Sequence, residues 1–327
     1  MELGPGRRPD LWSGTVAWTP DGGRWQPWRL PPEEEPYVYA PGLYQQARIP
    51  AGVRFAASVR ARRLEFELVG AEAGCGPADV LLDGRLTARQ QVEARTLLCV
   101  DLPSRPTRVE VWLPHRGRLL VGPVRAAGLA AAAPLPAARR WVAYGSSITQ
   151  CAASEGPSQT WPALVARELG WDLTCLGFGA ECHLDPVVPR AIAASAPDVV
   201  CLCLGINVYG RASFSARTWP GQVAGVVRHL RAALPDAELV VGSPISCPAR
   251  ESTPNGAGLT LAGLRDDVHR VAADLRSRGD RRVHVLDGRS LLGPDDVHLL
   301  HDGLHPSADG YRMMAARMRT YLATLLA

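Results

Sequence analysis

The apolar residues of this chain follow one period in its N-terminal part and another in the remainder, and few architectures satisfy both. Between about Gly14 and Ala126 the period is two. Leu64, Phe66 and Leu68 alternate with Glu65 and Glu67, and Val109, Val111 and Leu113 alternate with Glu110 and Trp112, as strands with one buried face do. Val80-Leu81-Leu82 runs into Asp83-Gly84, a pair that accepts positive φ and so marks a tight hairpin. The expectation is an all-β sandwich of jelly-roll type.

Beyond the Ala- and Pro-rich stretch from Ala127 to Ala138, which suits a connector, the pattern changes. Trp141-Val142-Ala143-Tyr144, Leu173-Thr174-Cys175-Leu176, Val199 to Leu204, Leu239-Val240-Val241 and Val283 to Leu286 are short continuous apolar runs, as strands covered on both faces require. Helical faces separate them, such as Val223, Val226, Val227 and Leu230, then Leu261, Leu264, Val268, Val271 and Leu275. A last such face carries Tyr311, Met314, Ala315, Met318, Leu322 and Leu325. Alternating strands and helices predict a three-layer α/β/α domain with a parallel sheet, whose ligand crevice lies beyond the carboxyl ends of the strands. A length of 327 residues fits two domains, expected at 1–136 and 137–327.

Composition excludes several functions. Hydrophobic residues make up 46% and charged residues 21%, and no apolar run is long enough to cross a bilayer. All 36 basic residues are Arg, against 32 acidic residues. Because they are scattered, they read as codon bias and not as a phosphate-binding face, so no nucleic-acid partner is expected. Met1 to Asp10 lacks the apolar core of a secretory signal, which gives a cytoplasmic expectation. The eight Cys include no CxxC pair and read as reduced packing residues, with no metal site and no cofactor expected.

Four short stretches carry chemistry: Gly145-Ser146-Ser147-Ile148-Thr149, Gly177-Phe178-Gly179-Ala180, Gly205-Ile206-Asn207 and Asp302-Gly303-Leu304-His305-Pro306. The first three follow buried strands, and the fourth precedes the last helix. Ser147 stands at a strand end in a Gly-initiated turn, accessible to substrate, as a nucleophile must be. Thr149 replaces the second Gly that an α/β-hydrolase elbow needs, so that fold is disfavoured. His305 has a carboxylate, Asp302, three residues before it, placed to fix its tautomer and stabilise its imidazolium. His298 and His301 are rival bases, though neither has an Asp three residues before it in a Pro-closed turn. An oxyanion would be met by the Ser147 N–H, by a backbone N–H of Gly179 or Ala180, and by the Asn207 amide. Each motif alone also has a plain reading as a turn or a helix cap. Their joint order argues against that reading.

With these motifs in place, 139–327 resembles the SGNH (GDSL-type) hydrolases, and specifically the subgroup whose first block reads Gly-Ser-Ser-Ile-Thr and follows a β-sandwich domain. The resemblance implies a flavodoxin-like fold, Ser147 as nucleophile, His305 as base, Asp302 as its acid and Asn207 as oxyanion donor. Two positions depart from it: Ala180 stands where the second block has Gly, and Cys151 where the subgroup often has Gly. The expected reaction is cleavage of a carboxylic ester through an acyl-enzyme, on a small or carbohydrate-like substrate, with an acetyl group among the candidates. The alternatives are an acyltransferase using the same intermediate and a non-catalytic module that binds glycan or a partner protein. Tyr209 and Trp219 are candidate substrate-stacking residues, and Trp18, Trp25 and Trp28 are candidate sugar contacts in the sandwich, although packing is the commoner use of such rings.

Overall fold

Asp83 and Gly84 both take positive φ, 49° and 79°, and join two strands whose last paired residues are Leu82 and Arg85. The Asp-Gly pair thus makes the hairpin its sequence predicts. The computed structural model describes residues 1–71 and 74–326. The chain forms two units: Met1–Ala138 with Glu155–Gln159 and Asp172–Cys175, and Arg139–Ser154 with Thr160–Trp171 and Leu176–Ala327.

The strands of the N-terminal part are β1 (Trp12–Ser13), β2 (Ala17–Asp21), β3 (Arg24–Trp28), β4 (Arg54–Arg60), β5 (Arg63–Gly70) and β6 (Pro77–Leu82). After the Asp-Gly turn come β7 (Arg85–Gln91), β8 (Thr96–Asp101), β9 (Thr107–Trp112), β10 (Leu119–Ala127) and β11 (Ala131–Pro134). They make two antiparallel sheets, β1-β4-β9-β6-β7 with β11 also on β4, and β2-β3-β10-β5-β8. Phe55, Val80 and Val111 from one sheet and Leu64, Phe66 and Val121 from the other share one core. This is the sandwich expected from the period-two pattern.

Two local expectations change. Glu110 and Trp112 are buried, at 2% and 1% exposure, although the alternation predicts them outside. Burial is tolerated because Glu110 accepts the Trp112 indole N–H at 2.9 Å and the Arg108 Nε–H at 2.8 Å, which leaves no bare charge. Part of the expected connector is a strand: β11 pairs antiparallel with β4 from Ala131↔Arg60 to Pro134↔Ala57. Its ladder comes from the open edge of β4 rather than from side-chain propensity.

The second sheet type contains β12 (Arg140–Gly145), β13 (Asp172–Gly177), β14 (Val199–Cys203), β15 (Glu238–Gly242) and β16 (Val283–Leu286) in the order β13-β12-β14-β15-β16. The ladders β12/β14, β14/β15 and β15/β16 are parallel. Helices α3 (Trp161–Leu169) and α9 (Ala308–Leu325) pack together, while α6 (Trp219–Ala233) packs on α4 (Val187–Ala194) and on α8 (Leu261–Ser277). The right-handed crossover rule explains this division, since the β12-to-β13 step runs across the sheet opposite to all later steps. This is the doubly wound, flavodoxin-like order, with its switch point between β12 and β14. Among the described residues no helix is long and apolar enough to cross a membrane.

Candidate functional site

The switch point holds the first site residues. β12 ends at Gly145, and Ser146 caps the short helix α2 (Ser147–Gln150), its hydroxyl accepting the Ile148 N–H at 3.2 Å. Ser146 therefore has the capping role that a Gly-Ser-Ser turn suggests, which leaves Ser147 for other work. The Ser147 Oγ lies 2.9 Å from His305 Nε2, across 158 positions of sequence.

His305 belongs to a loop closed on itself just before α9. Leu300 and Pro306 form an antiparallel bridge, the His301 N–H donates to the His305 carbonyl at 2.9 Å, and Ser307 caps α9 by accepting the Gly310 N–H. Within the loop the Asp302 carboxylate uses both oxygens. Oδ1 accepts the Leu304 and His305 N–H groups at 2.9 and 2.7 Å, and Oδ2 lies 2.7 Å from His305 Nδ1. Partial burial opposes ionisation of Asp302, but these bonds from His305 and Leu304 outweigh it and hold the carboxyl well below the usual range. With Nδ1 engaged by the carboxylate, Nε2 faces the serine hydroxyl. Of the rival histidines, His301 has Nδ1 3.4 Å from Asp302 Oδ1, and His298 points Nδ1 at the Asp295 carbonyl.

The oxyanion candidates separate once every N–H is followed to its acceptor. Gly179 N–H donates to Gln150 Oε1 at 2.8 Å, so it is committed within the protein. Neither the Ser147 N–H, at the first position of α2, nor the Ala180 N–H meets an acceptor among the described residues. Asn207, in α5 (Ile206–Arg211) just beyond β14, accepts the Cys182 N–H through Oδ1 at 3.0 Å, which leaves its Nδ2 donors without an acceptor among the described residues. Gly205 precedes α5 with φ 112°, a conformation that suits glycine. The pair Gly179 or Ala180 thus narrows to Ala180. Its φ is 62°, in the left-handed region where glycine is at ease and an alanine is strained. The turn is pinned in this form by His183, whose ring nitrogens lie 3.0 Å from the Ala180 carbonyl and 2.9 Å from Ser213 Oγ.

Gln150 escapes sequence reasoning. It is buried, at 5% exposure, three residues after Ser147, and its carboxamide ties the first motif to the second. Gly177 lets the two come this close: a Cβ there would lie 2.4 Å from the Gln150 nitrogen. A buried Gln beside a candidate nucleophile is the one available signal. Cys247 also escapes sequence reasoning: its Sγ donates to the Gly303 carbonyl at 3.3 Å, inside the Asp302–His305 loop.

Other candidates change role. Trp219 is fully buried, its indole N–H reaching the Leu264 carbonyl at 3.4 Å and its ring 5.9 Å from Phe214. It is a core residue. Tyr209 is half-buried and donates its hydroxyl to the Thr253 carbonyl at 3.0 Å, while its own carbonyl accepts from Asn255. It anchors the loop after α7 (Pro248–Glu251). Cys151 is buried with φ 64°, a left-handed value that accounts for the glycine preference at this position. In the sandwich, Trp28 is buried, with its N–H on Thr19, and Trp18 stacks edge-on against Trp12. Among the described residues the cysteines form no disulfide, and Cys99 is exposed rather than packed. Among the described residues no group of three or more His, Cys, Asp or Glu side chains is placed to hold a metal ion.

The geometry can be set beside known proteins. A family model described as the GDSL-like lipase/acylhydrolase family matches residues 143–313. Among solved structures, the salicylyl-acyltransferase SsfX3 from a tetracycline biosynthetic pathway is 30% identical, over 96% of this chain and 94% of that one, with a TM-score of 0.87. A family two carbohydrate esterase from Clostridium thermocellum in complex with cellohexaose aligns at 18% identity over 84% of this chain and 92% of its own, TM-score 0.64. An acetyl xylan esterase (Est2A) from the rumen bacterium Butyrivibrio proteoclasticus aligns at 14% identity over 84% and 90%, TM-score 0.59. These last two are likenesses of fold. No curated protein sequence matches the chain. The family match covers every site residue from Ser147 to His305, and the full-length relative adds the sandwich, so the chain belongs to the GDSL-like lipase/acylhydrolase family, the SGNH hydrolases, and is an enzyme of the esterase and acyl-hydrolase class.

Proposed function

We propose that the chain cleaves a carboxylic ester on a small or carbohydrate-like substrate through a covalent acyl-enzyme on Ser147, with residues 137–327 carrying the chemistry and 1–136 as an accessory domain. The observation that carries this reading is the unbroken line from Asp302 Oδ2 to His305 Nδ1, 2.7 Å, and from His305 Nε2 to Ser147 Oγ, 2.9 Å. His305 takes the Ser147 proton as Oγ attacks the acyl carbonyl, and Asp302 stabilises the imidazolium. Charge on the tetrahedral oxygen is met by the Ser147 N–H, the Ala180 N–H and Asn207 Nδ2, each donor supplying about 3–4 kcal/mol. His305 then protonates the departing alcohol, and a water, deprotonated by the same imidazole, releases the acid. Reaction with a fluorophosphonate probe and peptide mapping tests this reading. Labelling at Ser147 that is lost in His305→Ala is expected, and labelling elsewhere would end it.

A second reading keeps the acyl-enzyme and replaces water by an alcohol or amine acceptor. It is favoured by one observation, the 30% identity to an acyltransferase along nearly the full length of both chains. Product analysis with and without added acceptors separates the two. Free acid that accumulates at the same rate in both conditions supports hydrolysis, whereas a new ester or amide formed at the expense of acid supports transfer.

A further inference from the structure

Arg265 of α8 is buried, at 2% exposure, and takes no part in the reaction proposed above. A buried guanidinium has to be paired and hydrogen-bonded, and its partners trace a path through the fold. Nη1 donates to Glu251 Oε2 at 2.8 Å, Nη2 to Glu251 Oε1 at 2.9 Å, and Nε to the Pro244 carbonyl at 3.3 Å. Burial opposes ionisation of Glu251, but the bonds from Arg265 and from the Cys247 N–H outweigh it and hold the carboxyl below the usual range. Glu251 Oε1 accepts that Cys247 N–H at 3.0 Å. The segment between β15 and α8 is thus fastened to one post at Pro244, at Cys247 and at the end of α7.

From this post the segment reaches two parts of the candidate site. Cys247 Sγ donates to the Gly303 carbonyl at 3.3 Å, and Ile245 and Leu304 line one cavity of about 30 Å³, which sets this stretch against the loop of Asp302 and His305. Farther on, the Thr253 carbonyl accepts the Tyr209 hydroxyl at 3.0 Å, and Asn255 Nδ2 donates to the Tyr209 carbonyl at 3.0 Å. Tyr209 lies two residues beyond Asn207 in α5.

We propose that Arg265 and Glu251 are positioning residues, whose ion pair holds 244–255 as a strap that sets the His305 loop against the Asn207 helix. This role rests on the Ser147 acyl-enzyme reading and adds to it the part that fixes where base and oxyanion donor stand. Neither residue meets substrate. Arginine suits such a post because its planar fork holds both carboxylate oxygens, where lysine offers one point charge. A misplacement of about 1 Å at reacting groups lowers a rate about 100-fold. Because the substrate contacts remain, that loss falls on kcat and not on KM.

The test is ester turnover by the full chain, with thermal melting of the same samples, in variants of Glu251 and Cys247. Glu251→Ala should lower kcat about 30–100-fold with KM within about threefold. Glu251→Gln keeps an acceptor for the Cys247 N–H and should recover to within about tenfold of wild type. Cys247→Ser keeps a donor for the Gly303 carbonyl and should stay within about threefold, whereas Cys247→Ala should lose about tenfold. Since both residues act through one strap, Glu251→Ala combined with Cys247→Ala should fall no more than about threefold below Glu251→Ala alone. A folded Glu251→Ala with kcat within about threefold of wild type, a loss carried by KM, or single losses that multiply in the double variant overturns the proposal. If Glu251→Ala does not fold, the Cys247 pair decides: a lower kcat in Ala than in Ser sustains the strap, and equal values overturn it. Fluorophosphonate labelling of wild-type Ser147 alongside an overturning result rejects the strap alone; absence of both labelling and turnover in the wild type rejects the acyl-enzyme reading and the strap's role with it.

Discussion

Ser147 Oγ and His305 Nε2 stand 2.9 Å apart although 158 positions separate them in the chain. One hydroxyl leaves the end of a buried strand, and the imidazole is fixed in a loop that its own hydrogen bonds close. Removing either group should therefore abolish turnover and spare the fold. For Ser147→Ala we expect kcat to fall by roughly 10³–10⁶-fold, with unfolding free energy within about 0.5 kcal/mol of wild type. Ester hydrolysis and thermal melting measured on the same sample check both halves. Turnover retained within tenfold would remove Ser147 from the reaction.

Asp302 should remain ionised under acidic conditions that protonate ordinary carboxylates. Its folded-state pKa is depressed by hydrogen bonds that exceed the effect of burial. Its stabilising contribution is thus complete above the unfolded carboxylate pKa and is lost only as pH falls through the lower folded value. Because the side chain is about half exposed, the associated free energy is reduced by solvent screening. An acid limb in the rate profile above the carboxylate range should therefore persist in Asp302→Asn while kcat drops by about 10²–10⁴-fold at every pH. Disappearance of that limb in the variant would show that Asp302 itself had been titrating.

Gln150 acts through its neighbours. Gln150→Leu removes the acceptor of the Gly179 N–H, and a buried donor left bare costs about 1–3 kcal/mol. If the turn then relaxes, the Ala180 N–H drifts from the oxyanion position. The expected result is a kcat lowered roughly 10–100-fold with KM within about threefold, and partial recovery in Gln150→Glu, which keeps an acceptor at the same reach. Equal losses in kcat for Leu and Glu variants would argue for a purely structural role.

Ala180 holds φ at 62°, a left-handed value that costs a non-glycine residue about 1–2 kcal/mol. Ala180→Gly relieves this and gives back part of it as greater freedom of the unfolded chain. A net gain near 0.5–1 kcal/mol in chemical denaturation is expected, with kcat within about twofold because the N–H is retained. A loss of stability would mean that the alanine methyl contributes packing.

Much of this arrangement is legible in the sequence where interactions are local. The strands β12 to β16 announce themselves as apolar runs because both faces are covered. Asp83-Gly84 fixes its hairpin through backbone preference alone, and Asp302 and His305 share one loop, so their spacing is enough to suggest their contact. Legibility fails where a distant segment supplies the partner. Ala131–Pro134 has no strand signal of its own and pairs because β4 offers an open edge. Glu110 reads as a solvent-facing residue until Trp112 and Arg108 close around it. Trp219 reads as a candidate stacking residue, yet it is fully buried with its ring against Phe214. The choice between Gly179 and Ala180 depends on Gln150 meeting a turn that arrives from another strand, and no periodicity records that meeting.

The grip of Gln150 on Gly179 makes a single mechanical part of what are two separate loops. Because that bond joins the turn that carries Ser147 to the turn that carries Ala180, the mechanism proposed above needs only one rigid unit to hold its hydroxyl and its oxyanion donor in register. Loops elsewhere on the rim are then free to diverge in length and composition, and to recognise new leaving groups or acceptors, without detuning the reacting centre.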